Sequence, residues 1–319
     1  MTPFTPEENF RTAPPKSSPR RGACSERESG CCSEPPDMKF LIVDGYPEAA
    51  RQELQSNGAS TGWQLFQRML LRRDPAAEVE TIFPSDQEEI PSPQELAGYD
   101  GLLWTGCSLC CHASDDPRVD RQIELARRAF AMGVPQFGSC WAIQIAAVAA
   151  GGTVAANPRG REMGLARKIG LTPEGQRHPM YAGKPPVFDA FICHLDEVTS
   201  WPESATLLAT NSFTQVQALE VRHLDGVFWG VQYHPEYTLE DMAALTWARR
   251  APLVKEGFFA DEAAVGEHVS RLRTLQADPT RKDLSWSLAI DQDVLDDDVR
   301  QCELINWLAF VGQRQKVAS

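Results

Sequence analysis

Val134-Pro-Gln-Phe-Gly138-Ser-Cys140-Trp-Ala-Ile-Gln144 reads as an apolar strand that breaks at a glycine and runs into an alanine-rich helix. The same strand-then-helix grammar recurs upstream. Phe40-Leu-Ile-Val43 is a short apolar run closed by Asp44-Gly45, and a helix follows through Trp63, Leu65, Phe66, Met69 and Leu70. Glu78-Val-Glu-Thr-Ile-Phe83 alternates as a second strand, and Leu102-Leu-Trp104 forms a third that ends in Thr105-Gly106. Between Arg118 and Met132 the apolar residues Val119, Ile123, Ala126, Ala129 and Phe130 recur at helical spacing. Strands alternating with helices over short connections predict an α/β fold with a doubly wound, mostly parallel sheet and flanking helices.

From Thr153 the pattern changes to strands without intervening helices: Thr153–Ala156, Met163–Ile169, Val187–Cys193, Thr206–Thr210, Val216–Val221 and Val227–Tyr233. A helix from about Leu239 follows, and the tail from Ala260 is helical and charged, with an apolar set at Leu304, Ile305, Trp307, Leu308 and Phe310. Residues 1–37 are rich in Pro, Ser, Arg and Glu and almost devoid of aliphatic side chains, so they are expected to be a disordered leader. Residues 38–250 are expected to be the catalytic domain, and 251–319 a helical extension packed on it.

Charge and cysteine usage narrow the setting. With 31 Lys and Arg against 44 Asp and Glu, the net charge of −13 argues against nucleic acid or an anionic membrane as partner. The N-terminus lacks the basic start and apolar core of a secretory signal, and the apolar stretch Ile143 to Ala150 is too short to cross a bilayer. Nine irregularly spaced cysteines and no Asn-x-Ser/Thr sequon point to free thiols in a reduced, cytoplasmic setting. Cys24, Cys31 and Cys32 lack a nearby histidine. Cys107-Ser-Leu-Cys110-Cys111-His112 resembles half a zinc site without a second ligand pair at suitable spacing, so no metal is expected. No cofactor is expected either, since glycine-rich phosphate loops are absent.

In open α/β sheets ligands bind beyond the carboxyl ends of the strands. Gly106, Cys140 and His234 each fall just past a strand end, so three distant segments are expected to converge on one rim. His234 belongs to Gly230-Val-Gln-Tyr-His234-Pro-Glu236. A thiol is an effective nucleophile only as thiolate. Cys140 at a helix start feels the positive end of the dipole, and His234 can take its proton and later return it to a leaving amine. Glu236, two residues on in extended chain, would face the imidazole and hold its orientation. Gly138 keeps the turn free of a side chain that would crowd the neighbouring strand. The amide of Trp141, with backbone at Gly106, would form an oxyanion hole.

Gly-x-Cys140-x-x-x-Gln144 together with Gly-Val-Gln-Tyr-His234-Pro-Glu236 resembles the class I (triad) glutamine amidotransferases, notably the amidotransferase domain of GMP synthase and free-standing proteins similar to it. Val43-Asp44-Gly45, Trp104-Thr-Gly106 and His194-Leu-Asp196-Glu-Val198 add to the likeness, which spans about residues 39–250. The resemblance implies a flavodoxin-like three-layer sandwich and a Cys140–His234–Glu236 triad. Cys140 would attack the side-chain amide of glutamine, form a γ-glutamyl thioester and release ammonia to a separate synthase subunit. Gln144, Leu195 and Asp196 would contact the substrate. The chain departs from the family pattern at Ala142 and Leu195, where glycine is usual; both positions are expected to border the glutamine pocket.

These departures keep two other functions in view: a γ-glutamyl peptidase that uses the same triad on γ-glutamyl peptides or conjugates, and a non-catalytic scaffold. The Ser-Gly-Gly-x-Asp-Ser nucleotide loop of the synthase half of GMP synthase does not occur.

Overall fold

The structure, a computed structural model, describes residues 38–112 and 115–318. The expected leader, with Cys24, Cys31 and Cys32, lies outside the described residues.

Among the described residues eleven strands form, β1 Lys39–Val43, β2 Glu78–Ile82, β3 Gly101–Trp104, β4 Gln136–Ser139, β5 Thr153–Ala156, β6 Glu162–Leu171, β7 Val187–His194, β8 Asp196–Ser200, β9 Ala205–Thr210, β10 Ala218–His223 and β11 Gly226–Val231. A nine-stranded sheet runs in the order β2-β1-β3-β4-β11-β10-β9-β6-β7, while β5 and β8 pair separately. The half from β2 to β11 is parallel, and the half from β11 to β7 is antiparallel. Most of the β-rich segment expected after Thr153 thus extends the same sheet, and β5 and β8 pair apart from it.

Seven helices accompany this sheet up to residue 248: α1 Glu48–Ser56, α2 Gly62–Arg73, α3 Pro93–Leu96, α4 Pro117–Ala131, α5 Trp141–Ala149, α6 Pro173–Arg177 and α7 Leu239–Ala248. Their starts follow local chemistry. Thr61 and Gln64 close a capping box on α2, Asp116 caps α4 ahead of Pro117, and Thr238 with Asp241 closes a box on α7. Alternation along the parallel strands sorts side chains to two faces. Phe40, Ile42 and Leu103 face one apolar layer with Phe66 and Leu70 of α2, whereas Leu41, Val43 and Leu102 face another with α4 and α5.

Several details differ from the sequence expectation. The region after Thr153 is not free of helices: α6 and a 3₁₀ turn at Pro179–Tyr181 separate β6 from β7. Thr172 caps α6 through Gly175 N–H with Pro173 at its first position, a start signal present in the sequence. Gly138 does not break β4 but lies within it, paired with Trp104 and Gly230 on its two sides.

The last helix, Cys302–Ala318, carries its apolar set into the sheet's first layer, where Trp307 is fully buried beside Phe40 and Phe137. A buried ion pair anchors it. Lys184 Nζ lies 2.8 Å from Glu303 Oε1, and the Tyr233 hydroxyl donates to the same oxygen at 2.6 Å. Tyr233 directly precedes His234, so the C-terminal helix is tied to the segment that carries the expected base. Replacing Glu303 with Ala leaves the Lys184 ammonium buried and unpaired, with an expected loss of about 3–5 kcal/mol in chemical denaturation. A loss no larger than that of an exposed pair, about 1 kcal/mol, would show that the pair is not an anchor.

Candidate active site

β4 delivers Cys140 at the seam between strand and helix. The Cys140 N–H still bonds Val231 O of β11 at 2.7 Å, yet the residue adopts φ 55 and ψ −102, outside the comfortable region for a side-chain-bearing residue. Such strain persists only where the surroundings over-determine it. Here the constraint is close packing: a Cβ at Gly138 would stand 2.4 Å from Trp104 O and 2.5 Å from Ala142 Cβ. The indole of Trp141 then pins the start of α5, donating to Gln122 Oε1 at 2.7 Å.

His234 and Glu236 arrive just past β11. The His234 N–H is tied to Phe191 O of β7 at 2.7 Å, which fixes the backbone here; Pro235 and Glu236 form a turn rather than the extended chain expected from the sequence. His234 Nδ1 lies 2.6 Å from Glu236 Oε1, and the Ser139 hydroxyl donates to that same oxygen at 2.8 Å. Glu236 is thereby held from both sides, by His234 and by Ser139, the residue before Cys140. Tyr237 stacks flat on the imidazole, with ring centroids 4.2 Å apart and planes 6° from parallel.

Gly106 completes the junction. A Cβ there would meet His234 Cε1 at 3.2 Å and Cys140 Cβ at 3.8 Å, so the Cys140 Cβ and the imidazole flank one bare backbone position. Burial alone would lower the His234 pKa, but the Glu236 carboxylate and the Cys140 side chain outweigh it and raise it to about 10. The thiol itself is directed at Cys193 O, 3.6 Å away, and His234 Nε2 is buried without a hydrogen-bond partner.

In front of the thiol lies a cavity of about 330 Å³. Gln144, Leu195 and Asp196 line it, as does Trp141. Gln144 donates to Asp196 O at 2.9 Å, coupling α5 to the start of β8. The expected substrate contacts are therefore gathered around Cys140, with Leu195 at the exposed rim (41% exposed). Two cations also face this space, Arg249 and Arg161; Arg249 donates to Cys193 Sγ at 2.7 Å, and Arg161 is paired with Glu256.

Ala142 is placed otherwise than expected. It is fully buried in the layer between α5 and the sheet, its methyl against Gly138, and is not among the residues that line the cavity. The reason is helical phase, because the residue two after the nucleophile points back at the strand that precedes it. Ala142→Gly is accordingly expected to leave turnover unchanged and to cost about 1–2 kcal/mol, from a lost buried methyl and a glycine in a helix. A rise in kcat would show that the methyl does reach the pocket.

Sequence reading missed Ser139, Tyr237, Cys193 and Arg249. Ser139 and Tyr237 are sequence neighbours of triad candidates, and adjacency was the available signal. Cys193 precedes the His194-Leu-Asp196 motif, while Arg249 ends α7 with no local pattern to mark it.

An α/β sheet with a cysteine on a strained turn beside a buried His–Glu pair is the arrangement expected of an enzyme of the glutamine amidotransferase type. The glutamine amidotransferase class-I family model matches residues 57–247, and the chain belongs to this family. Over 280 residues the chain is 33% identical to a γ-glutamyl-L-1-hydroxyisopropylamide hydrolase of Pseudomonas sp, covering 85% of this chain and 92% of that protein. It is 30% identical over 193 residues to γ-glutamyl peptidase 3 of Arabidopsis thaliana, covering 60% of this chain and 74% of that protein. A glutamine amidotransferase of Thermotoga maritima shares the fold, with a TM-score of 0.61 at 16% identity over 86% of this chain and 98% of that one.

Proposed function

We propose that this protein hydrolyses the amide bond of a small γ-glutamyl amide or peptide, with water as the acceptor of the γ-glutamyl group. One observation carries the reading: Cys140 lines the cavity that also holds Gln144 and Asp196, and its side chain meets the imidazole of the His234–Glu236 pair at Gly106. Similarity along nearly the whole of a Pseudomonas γ-glutamyl amide hydrolase supports an acceptor-independent reaction. That favours the peptidase-type alternative over delivery of ammonia to a synthase.

The chemistry follows from the geometry. With the Cys140 thiol proton transferred to His234 Nε2, leaving a thiolate beside an imidazolium, Cys140 Sγ attacks the γ-carbonyl carbon and the carbonyl oxygen takes up the negative charge. The Trp141 amide, at the start of α5, and backbone at Gly106 are the donors assigned to that oxygen; one such donor is worth ~3 kcal/mol. His234 then protonates the departing nitrogen, the C–N bond breaks and a γ-glutamyl thioester remains. Water attacks the thioester, yielding its proton to His234; the C–S bond breaks, glutamate leaves and the thiol recovers its proton. Glu236 stabilises the imidazolium at each stage. Asp196 and Gln144 are assigned to the amino-acid end of the γ-glutamyl group.

The test is a panel of glutamine, a γ-glutamyl alkylamide and a γ-glutamyl dipeptide, with kcat/KM for each and no synthase added. A substituted γ-glutamyl amide is expected to be cleaved at least about tenfold better than glutamine, a difference of ~1.4 kcal/mol in the barrier. Preference for glutamine would return the assignment to an ammonia-supplying subunit, and no turnover of any member would overturn hydrolysis. Mass measurement of the acyl-enzyme captured by acid quench of the parent chain during turnover identifies the acyl group directly.

A further inference from the structure

The cysteine-rich loop after β3 is not used by the chemistry above. Within it Cys107 is committed to the fold, its Sγ donating to Gly45 O at 3.0 Å. Cys110 and His112 are not so committed, and folding sets a third donor opposite them that sequence spacing does not supply. Asp196, at the start of β8, faces this loop. Donor atoms of Cys110, His112 and Asp196 all lie within 4.8 Å of one another. Ligands bound at about 2.0–2.3 Å around a tetrahedral ion stand roughly 3.3–3.8 Å apart, so small side-chain rotations close the set.

The state of Asp196 points to a ligand independently. Its side chain is only 7% exposed, and Oδ1 is buried with no hydrogen-bond partner. His112 Nε2 is 3.2 Å from that oxygen, but it is not aimed as a hydrogen bond and forms an ion pair only if the ring is protonated. A buried carboxylate oxygen left without a partner is costly, and a cation relieves that cost. We propose that Cys110, His112 and Asp196 form a binding site for a thiophilic divalent ion of the zinc type, whose occupancy blocks the catalytic cavity.

The donor set selects the ion. One thiolate and one imidazole favour zinc-type ions over magnesium or calcium, which prefer all-oxygen sites. Three protein ligands leave a fourth position for water. Binding displaces the proton of the Cys110 thiol, and a neutral His112 is the ligand form. Cys110 and Asp196 both line the cavity that contains Cys140, so the ion stands in its wall. It also occupies the carboxylate assigned to the substrate's amino group, and metal and substrate therefore compete. The blocking step rests on the proposed hydrolase function, whereas the metal site itself does not.

Cobalt(II) titrated into the full chain carrying Cys140→Ala tests the site without turnover. One equivalent should produce a thiolate-to-metal charge-transfer band. Cys110→Ser should abolish that band, and His112→Ala should weaken binding about 100-fold or more, the upper end of what losing even an outer-shell partner costs. In the active chain, zinc should inhibit competitively with substrate. His112→Ala should remove that inhibition while metal-free turnover stays unchanged. A missing band, a band indifferent to both substitutions, or zinc inhibition that survives His112→Ala overturns the proposal. If the chain proves inactive on every γ-glutamyl compound, the cobalt arm still decides the metal site.

Discussion

Cys140→Ala is expected to lower kcat/KM for any cleaved γ-glutamyl substrate by roughly 10⁴–10⁶-fold, since loss of a covalent nucleophile leaves only binding and oxyanion stabilisation. The fold should survive. Cys140 is buried, but its backbone is held by the Val231 bond and by the packing of Gly138 against Trp104, none of which needs the sulfur. Alanine also keeps the Cβ that faces Gly106. Its positive φ is no worse tolerated than that of cysteine, because the strain belongs to the backbone. The variant should therefore melt close to the parent temperature. Turnover within tenfold of the parent, with the fold intact, would remove Cys140 from the mechanism.

The second large effect belongs to Glu236→Gln. An amide can still meet the Ser139 hydroxyl and the His234 ring, so the residues stay in place while the negative charge is lost. A triad with its carboxylate neutralised in this way loses about 10⁴-fold in kcat. The pH profile separates this electrostatic role from a structural one. Burial favours a neutral His234, and the Glu236 carboxylate with the Cys140 side chain overcomes that preference and holds the pKa near about 10. The imidazolium that protonates the leaving nitrogen is therefore present below that value and lost as pH rises through it. Without the carboxylate, burial gains ground and the alkaline limb moves to lower pH. An unchanged limb in Glu236→Gln would show that the carboxylate does not set the charge of the base.

The sheet and the candidate nucleophile were legible for a shared reason. A buried parallel strand must be apolar along its length, and a catalytic residue in such a sheet sits where the strand stops. Phe40-Leu-Ile-Val43, Leu102-Leu-Trp104 and the run before Cys140 all show this, and each became a neighbour in the sheet. The His-Pro-Glu run was legible because its two partners are two residues apart, although a turn at Pro235 and Glu236, not extended chain, brings them together. α1 and β8 were missed: α1 has no fully buried residue to make a stripe, and β8 lay hidden inside a motif read for its chemistry.

The pocket was only half legible, since its walls come from segments with no local relation to one another. Gln144 and Asp196 are linked by a hydrogen bond across 52 positions of sequence, and Cys193 meets Arg249 across 56. Ala142 illustrates the converse error. Its departure from the family pattern was visible, but which way its methyl points depends on helical phase against β4, and that turns it into the core.

By itself the sequence determined the α/β alternation, the order of the candidate nucleophile and base, and the family, because each is written in residues close together along the chain. Tertiary structure alone decided that the C-terminal helix braces Tyr233 beside the base, that Ser139 shares Glu236 with His234, and that Asp196 faces Cys110 and His112. Contacts of that kind arise from the closure of long loops, and no short stretch of chain carries information about which distant surface it will meet.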